Sequence, residues 1–218
     1  MTRGTTGTVR TTDGPHAGDR TVTVVIVPGL RDHVADHWQT HLAERVPNAR
    51  TVPPLDLDRL SRAAQVAALD AVISDIAGPV VLVAHSAGVQ TVVQWATEHG
   101  SRGVVLGALL VAPADLELPL PPGYPSEEAI QAGGWRPIPR RTLPFPSVVG
   151  VSRTDPLGGF RRVTGMAECW GSRVTDLGDV GHVNPASGYG YWPRAEELLA
   201  ELVVQVTPSS SDAITTAP

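Results

Sequence analysis

A serine, an aspartate and a histidine, Ser86, Asp155 and His182, each stand where a run of apolar, β-branched residues gives way to a short turn. Together those three side-chain types perform nucleophilic acyl chemistry, with an activated hydroxyl, a base and a group that orients the base. The sharpest local pattern is Val80-Val81-Leu82-Val83-Ala84-His85-Ser86-Ala87-Gly88. A strand that enters a tight turn and leaves as a helix strains its turn residue, so the Ser86 hydroxyl would project above the strand ends between small neighbours. Ala87 and Gly88 are small, and Ala84 replaces the first glycine of G-x-S-x-G, a difference of one methyl. The helix starting after Ser86 would aim its N–H groups at a developing oxyanion, which makes the Ala87 N–H one expected donor.

A lone serine is a poor nucleophile near neutral pH, so a base and its partner must reach it from elsewhere in the chain. Asp155 lies just past the run Ser147 to Ser152, and His182 lies in the loop after Arg173 to Leu177. Asp176 and Asp179 are rival acids, but Asp179 is only three residues from His182 and would have to turn back within the same loop. The chain order Ser, Asp, His is that of α/β-hydrolases, in which all three loops emerge at the carboxyl edge of one parallel sheet. A second oxyanion donor is expected from Pro28-Gly29-Leu30, at the Leu30 N–H.

These positions require strands that alternate with helices. Strands are expected at Thr21 to Val27, Ala49 to Val52, Val80 to Ala84, Gly103 to Val111, Ser147 to Ser152 and Arg173 to Leu177. Helices are expected at about Asp36 to Arg45, after an Asp58 cap, at Gly88 to about His99, at Phe160 to Trp170 and after Pro193. In the second of these, Leu69, Val72, Ile73 and Ile76 fall on one face at i, i+3, i+4 and i+7. The alternation predicts a three-layer α/β/α sandwich around a mainly parallel sheet, a compact α/β-hydrolase fold. It breaks between Ala112 and Pro146, where 9 of the 20 prolines gather within 35 residues, the composition of a lid or binding loop. The Thr- and Gly-rich stretch 1–20 and the Ser/Thr/Pro-rich stretch 207–218 read as disordered tails around one domain spanning 21–206.

At 218 residues with 42% hydrophobic and 18% charged side chains, the chain can bury a core, which excludes a wholly disordered class. A net charge of 17 − 22 = −5 offers no overall attraction to nucleic acid or anionic lipid, so neither is an expected partner. Gly78 to Thr97 is uncharged and long enough to span a bilayer, but His85, Ser86, Gln90 and Gln94 interrupt it, and no membrane insertion is expected. All 17 basic residues are arginine, which removes lysine-based nucleophiles and bases. The single Cys169 excludes an internal disulfide, reads as a buried small hydrophobe and fits a reducing, cytoplasmic location.

The chain resembles the small serine hydrolases related to retinoblastoma-binding protein nine. The resemblance rests on Val27-Pro28-Gly29 with His37-Trp38, the Ala84 to Gly88 elbow, and Thr154-Asp155-Pro156. It extends through Gly181-His182-Val183-Asn184 to Ser187-Gly188-Tyr189-Gly190-Tyr191-Trp192-Pro193. It covers Thr21 to about Val206 and implies Ser86, Asp155 and His182 as a triad, with no metal and no organic cofactor. Pocket-protein binding would need a Leu-x-Cys-x-Glu segment, whereas the cysteine stands in Ala167-Glu168-Cys169-Trp170, so that role is not expected.

Other residues give weaker expectations. Trp135, in the proline-rich insertion, and Trp38 are the expected substrate-binding aromatics, with Trp192 a third candidate. His33, His37 and His41 recur every four residues and would share a helix face, yet without further ligands they read as packing or solvated histidines. Asn184 is expected to order the histidine loop, and Arg140-Arg141 to be a solvated pair. The expected activity is hydrolysis of a small carboxylic ester or related acyl substrate through an acyl-enzyme. The alternatives are a thioesterase, amidase or acyltransferase with the same residues, or a non-catalytic binding module.

Overall fold

Each of the apolar runs becomes a strand: β1 (Thr23–Val27), β2 (Ala49–Thr51), β3 (Val80–His85), β4 (Val105–Val111), β5 (Ser147–Ser152) and β6 (Arg173–Gly178). In the computed structural model, which describes residues 21–30 and 34–207, they form one sheet of order β2-β1-β3-β4-β5-β6, parallel at every pairing. The tails expected over 1–20 and 207–218 lie, apart from Thr207, outside the described residues, as does His33.

Period-two alternation of the strands decides which residues reach which layer. Val25, Val27, Leu82, Ala84 and Leu110 face one side, against α2 (Arg62–Ser74), α3 (Ala87–His99) and α5 (Phe160–Trp170). Val24, Ile26, Val81, Val83 and Leu109 face the other, against α1 (Trp38–Arg45) and α6 (Pro193–Val206). Because both faces are covered, β3 is buried at all six positions, which is why its sequence shows no polar alternation. The result is the three-layer α/β/α sandwich of the α/β-hydrolase fold.

Local chemistry moves some boundaries. The cap of α2 is Ser61, whose hydroxyl accepts from the Ala64 N–H at 3.2 Å, and not Asp58, which sits three residues earlier at φ 54°. Leu69 and Ile73 are buried as their spacing requires, and Ile76 reaches the core from just beyond the helix end. Helix α1 begins at Trp38, so His37 is its cap and shares no helix face with His41, which instead meets Asp36. Cys169 is exposed, a correction with a simple cause: α5 buries Val163, Met166, Ala167 and Trp170, and position 169 lies off that stripe.

The insertion divides into two parts around α4 (Glu127–Ala132). Its second part is core: Trp135, Ile138, Leu143 and Phe145 are all buried with the α2/α3/α5 layer. The Trp135 indole N–H donates to the Leu60 carbonyl at 2.7 Å, and the Trp170 indole to the Pro139 carbonyl at 2.8 Å. Arg140 and Arg141 are both exposed, as expected of a solvated pair, and Arg140 also pairs with Glu117 at 2.7 Å.

If Trp135 belongs to the core, Trp135→Ala lowers unfolding free energy by about 3–5 kcal/mol. Leu57→Ala, at a site 80% exposed, stays within about 0.5 kcal/mol of wild type. Urea denaturation of both variants measures this, and a Trp135 variant of unchanged stability would return the side chain to the cavity wall.

Candidate active site

The sheet order places a crevice above β1 and β3. The chain leaves β1 toward β2 on one side and crosses back to β3 on the other, so the loops after β1 and β3 diverge there. Pro28–Leu30 comes from β1, and Ser86 from β3.

Ser86 has φ 59° and ψ −125°, a strained conformation for a residue with a Cβ, held between the buried strand and α3. Gly88 explains how the turn fits. A Cβ there would lie 2.4 Å from the carbonyl oxygens of both Val27 and Pro28, so only glycine lets α3 approach the end of β1. Gly29 is nearly as close, with a Cβ position 3.1 Å from that of Ser86. Leu30 and Ala87 line the same cavity as Ser86, with Ala87 at the amino end of α3.

Asp155 and His182 arrive from the ends of β5 and β6. His182 Nε2 lies 2.8 Å from Ser86 Oγ, and His182 Nδ1 lies 2.9 Å from each oxygen of the Asp155 carboxylate. An ionised carboxylate only accepts, so Nδ1 carries the proton and Nε2 accepts from the serine hydroxyl. The Asp155 and His182 side chains are 2% and 6% exposed, which shields this pairing from water. Asp155 also accepts from the Leu157 N–H at 2.8 Å. The rival Asp176 is engaged elsewhere: a bidentate bond from Arg153 and the Gly178 N–H hold its carboxyl below the usual range. Asp179 is exposed.

The histidine loop is braced from three sides. Asn184 Oδ1 accepts from the backbone and the hydroxyl of Ser187, both at 3.0 Å, and Ser187 Oγ accepts from the His182 N–H at 3.1 Å. Thr154 Oγ1 accepts from the Gly181 N–H, which ties the aspartate loop to the histidine loop. His85 Nε2–H donates to the His182 carbonyl at 2.8 Å, while the His85 ring packs between His37 and His182 in tilted contacts with centroids 4.7 and 4.8 Å away. Burial, reinforced by His182 and His37 nearby, pushes the His85 pKa well below its ordinary 6.5, so the ring is neutral and can serve as this donor.

A cavity of about 430 Å³ opens over Ser86. Its walls include Leu30, Leu60, Leu116, Leu120, Tyr124 and Leu157. Neither expected tryptophan is among them. Trp135 and Trp38 are 0% and 1% exposed; Trp135 sits behind Leu60, and Trp38 packs edge-on beneath His85 and against Trp192. Their large apolar rings fill the layers behind the site instead. Tyr124 and Leu120 were the aromatic and aliphatic residues to single out, and their only signal was position in the insertion. Gln39 was also missed: its buried amide donates to the carbonyls of Val27 and Val83 at 3.2 and 3.1 Å, tying the end of β1 to the serine strand. Among the described residues, no group of three His, Cys, Asp or Glu side chains converges as metal ligands would, and no helix is long and apolar enough to cross a membrane.

Fold and site together define a hydrolase of the α/β class. Residues 24–201 match the Serine hydrolase family, to which the chain belongs. A solved structure from Pectobacterium atrosepticum, described as a YdeN-like hydrolase, is similar at 30% identity and a TM-score of 0.70, over 86% of this chain and 93% of that one. The Bacillus subtilis ydeN gene product is similar in fold at 16% identity and TM-score 0.62, covering 84% of this chain and 100% of that one. A thermophilic esterase from Thermogutta terrifontis shares the fold at 17% identity and TM-score 0.59, over 86% and 91% of the two chains. No curated protein matches the chain.

The neutral His85 links stability to pH. The unfolded chain binds a proton at this ring from about pH 6.5 downward and the folded chain does not, so acidification below about 6.5 favours unfolding. Thermal melts from pH 7.5 to 5 would show wild type losing stability as pH falls, with a shallower slope in His85→Gln. Equal slopes would mean that the ring is not held neutral.

Proposed function

We propose that the protein hydrolyses a small carboxylic ester through an acyl-enzyme, with Ser86 as nucleophile, His182 as general base and acid, and Asp155 as the group that orients and stabilises the imidazolium. The observation that carries this reading is the continuous hydrogen-bonded line Asp155, His182 Nδ1, His182 Nε2, Ser86 Oγ, whose serine end lines the cavity.

Each step follows from that line. Ser86 Oγ attacks the acyl carbonyl carbon as its proton passes to His182 Nε2, and the carbonyl π electrons move onto oxygen. The N–H groups of Ala87 and Leu30 receive that oxyanion, and the amino end of α3 favours the charge through its dipole. Collapse breaks the bond to the alkoxy group, which leaves with the His182 proton as an alcohol. Water then attacks the acyl-enzyme with His182 as base, and the acid departs with Ser86 restored. Leu30 and Ala87 are thus assigned as the oxyanion hole, and Leu120 and Tyr124 replace Trp38 and Trp135 as substrate contacts. A cytoplasmic setting suits the single exposed thiol of Cys169.

Ser86→Ala should lower kcat/KM on p-nitrophenyl butyrate by about 10⁴-fold or more, and Asp155→Asn by about 10⁴-fold through the wrong histidine tautomer. A fluorophosphonate should add one mass label to folded wild type and none to Ser86→Ala. Near-wild-type turnover in a folded Ser86→Ala protein would end the reading.

A further inference from the structure

Within the insertion, residues 114–125 pass over Ser86 as a strap whose side chains sort by charge. Ala114 and Leu116 line the cavity, as do Leu120, Tyr124 and Pro125 farther along. The intervening Asp115 and Glu117 are committed to an ion network. Arg162 is bonded to Asp115 and lies 3.2 Å from Glu117, while Arg140 reaches Glu117 at 2.7 Å. Asp115 is 3% exposed, so this pairing holds the strap base in place.

Backbone bonds add to the hold. The Asp115 N–H donates to the Leu157 carbonyl at 2.8 Å, Gln90 to the Ala114 carbonyl at 2.7 Å, and Arg136 to the Leu116 carbonyl at 2.6 Å. Glu117 Oε1 also accepts from the Ile138 N–H. These bonds fix the base of the strap, residues 114–117, from which Leu120 and Tyr124 extend along the cavity. No Arg, Asp or Glu occurs among the described residues lining the cavity, and the neutral His85 adds no charge.

We infer that this cavity selects esters whose acyl chain is aliphatic and uncharged, with the strap residues Leu116, Leu120 and Tyr124 as its specificity wall. The inference rests on the ester-hydrolase reading for its chemistry. The acyl half is the one that occupies the wall, because the alcohol must leave before water enters while the acyl group stays bonded to Ser86 through both steps. A volume of about 430 Å³ lies in the lower half of the range of about 300–1,000 Å³ typical of small-molecule sites, which suits a short or medium chain. A carboxylate or ammonium at the far end of that chain would lose its water against leucine and tyrosine, with no oppositely charged Arg, Asp or Glu among the described lining residues to replace it.

The test uses three methyl esters with the same six-carbon acyl length: methyl hexanoate, monomethyl adipate as anion and methyl 6-aminohexanoate as cation. Calorimetric binding to Ser86→Ala reads the cavity without turnover, and titration of released acid from wild type reads catalysis. Methyl hexanoate should exceed both charged esters by about 100-fold or more in affinity and in kcat/KM. From methyl propanoate to methyl hexanoate, kcat/KM should rise by about fourfold per added methylene. Leu120→Arg, or Tyr124→Arg if the first does not fold, should raise monomethyl adipate relative to methyl hexanoate by about tenfold, a gain that structural damage does not mimic. Charged and neutral esters bound equally by Ser86→Ala would overturn the inference. Discrimination in Ser86→Ala with no turnover of any ester by wild type would support the cavity's preference and defeat the hydrolytic reading instead.

Discussion

The approach of α3 to the end of β1 is the contact on which the rest of the site depends. With no side chain at Gly88, the first turn of the helix lies against the carbonyl oxygens of Val27 and Pro28, and that proximity puts the Ser86 turn, the Ala87 amide and the Pro28–Leu30 loop in one place. Strain at Ser86 is held by its surroundings: β3 is buried along its length and α3 is buried over Ala87 to Ala96, so neither element can relax the turn. Gln39 reinforces the arrangement by donating from one amide to the carbonyls of Val27 in β1 and Val83 in β3.

Around that contact the polar groups act in sequence. Asn184 orders Ser187, Ser187 holds the His182 backbone, and His85 holds its carbonyl from the other side. His85 and His182 are buried and Asn184 and Ser187 half-buried, so an unmade hydrogen bond is costly at the histidines and the loop has few alternative arrangements. A buried imidazole kept neutral by its surroundings suits this duty better than a charged one, because it donates one proton without requiring a counter-ion.

The insertion shows how one segment can serve two layers. Its second half completes the core through Trp135, Ile138 and Phe145, and its first half walls the cavity while its acidic residues pair with Arg140 and Arg162. Proline density alone reads as a loop. The indole of Trp135 changes that by finding the Leu60 carbonyl, which anchors the segment beneath the cavity wall instead of leaving it to cover the opening.

The residue types and order along the chain determined a parallel α/β sheet and the approach of Ser86, Asp155 and His182, because alternating apolar runs leave few topologies and all carboxyl-edge loops share one side. Helix limits were legible to within a few residues, except where a hydroxyl such as that of Ser61 outcompeted an earlier carboxylate for the cap. What only the tertiary structure decided was the environment of each side chain. The strand pattern could not say that Trp38 and Trp135 pack behind the cavity, that Cys169 points outward, or that Leu120 and Tyr124 line the wall. Those outcomes depend on contacts between segments distant in sequence, such as Trp135 with Leu60, and a local pattern carries no information about the partner across the fold.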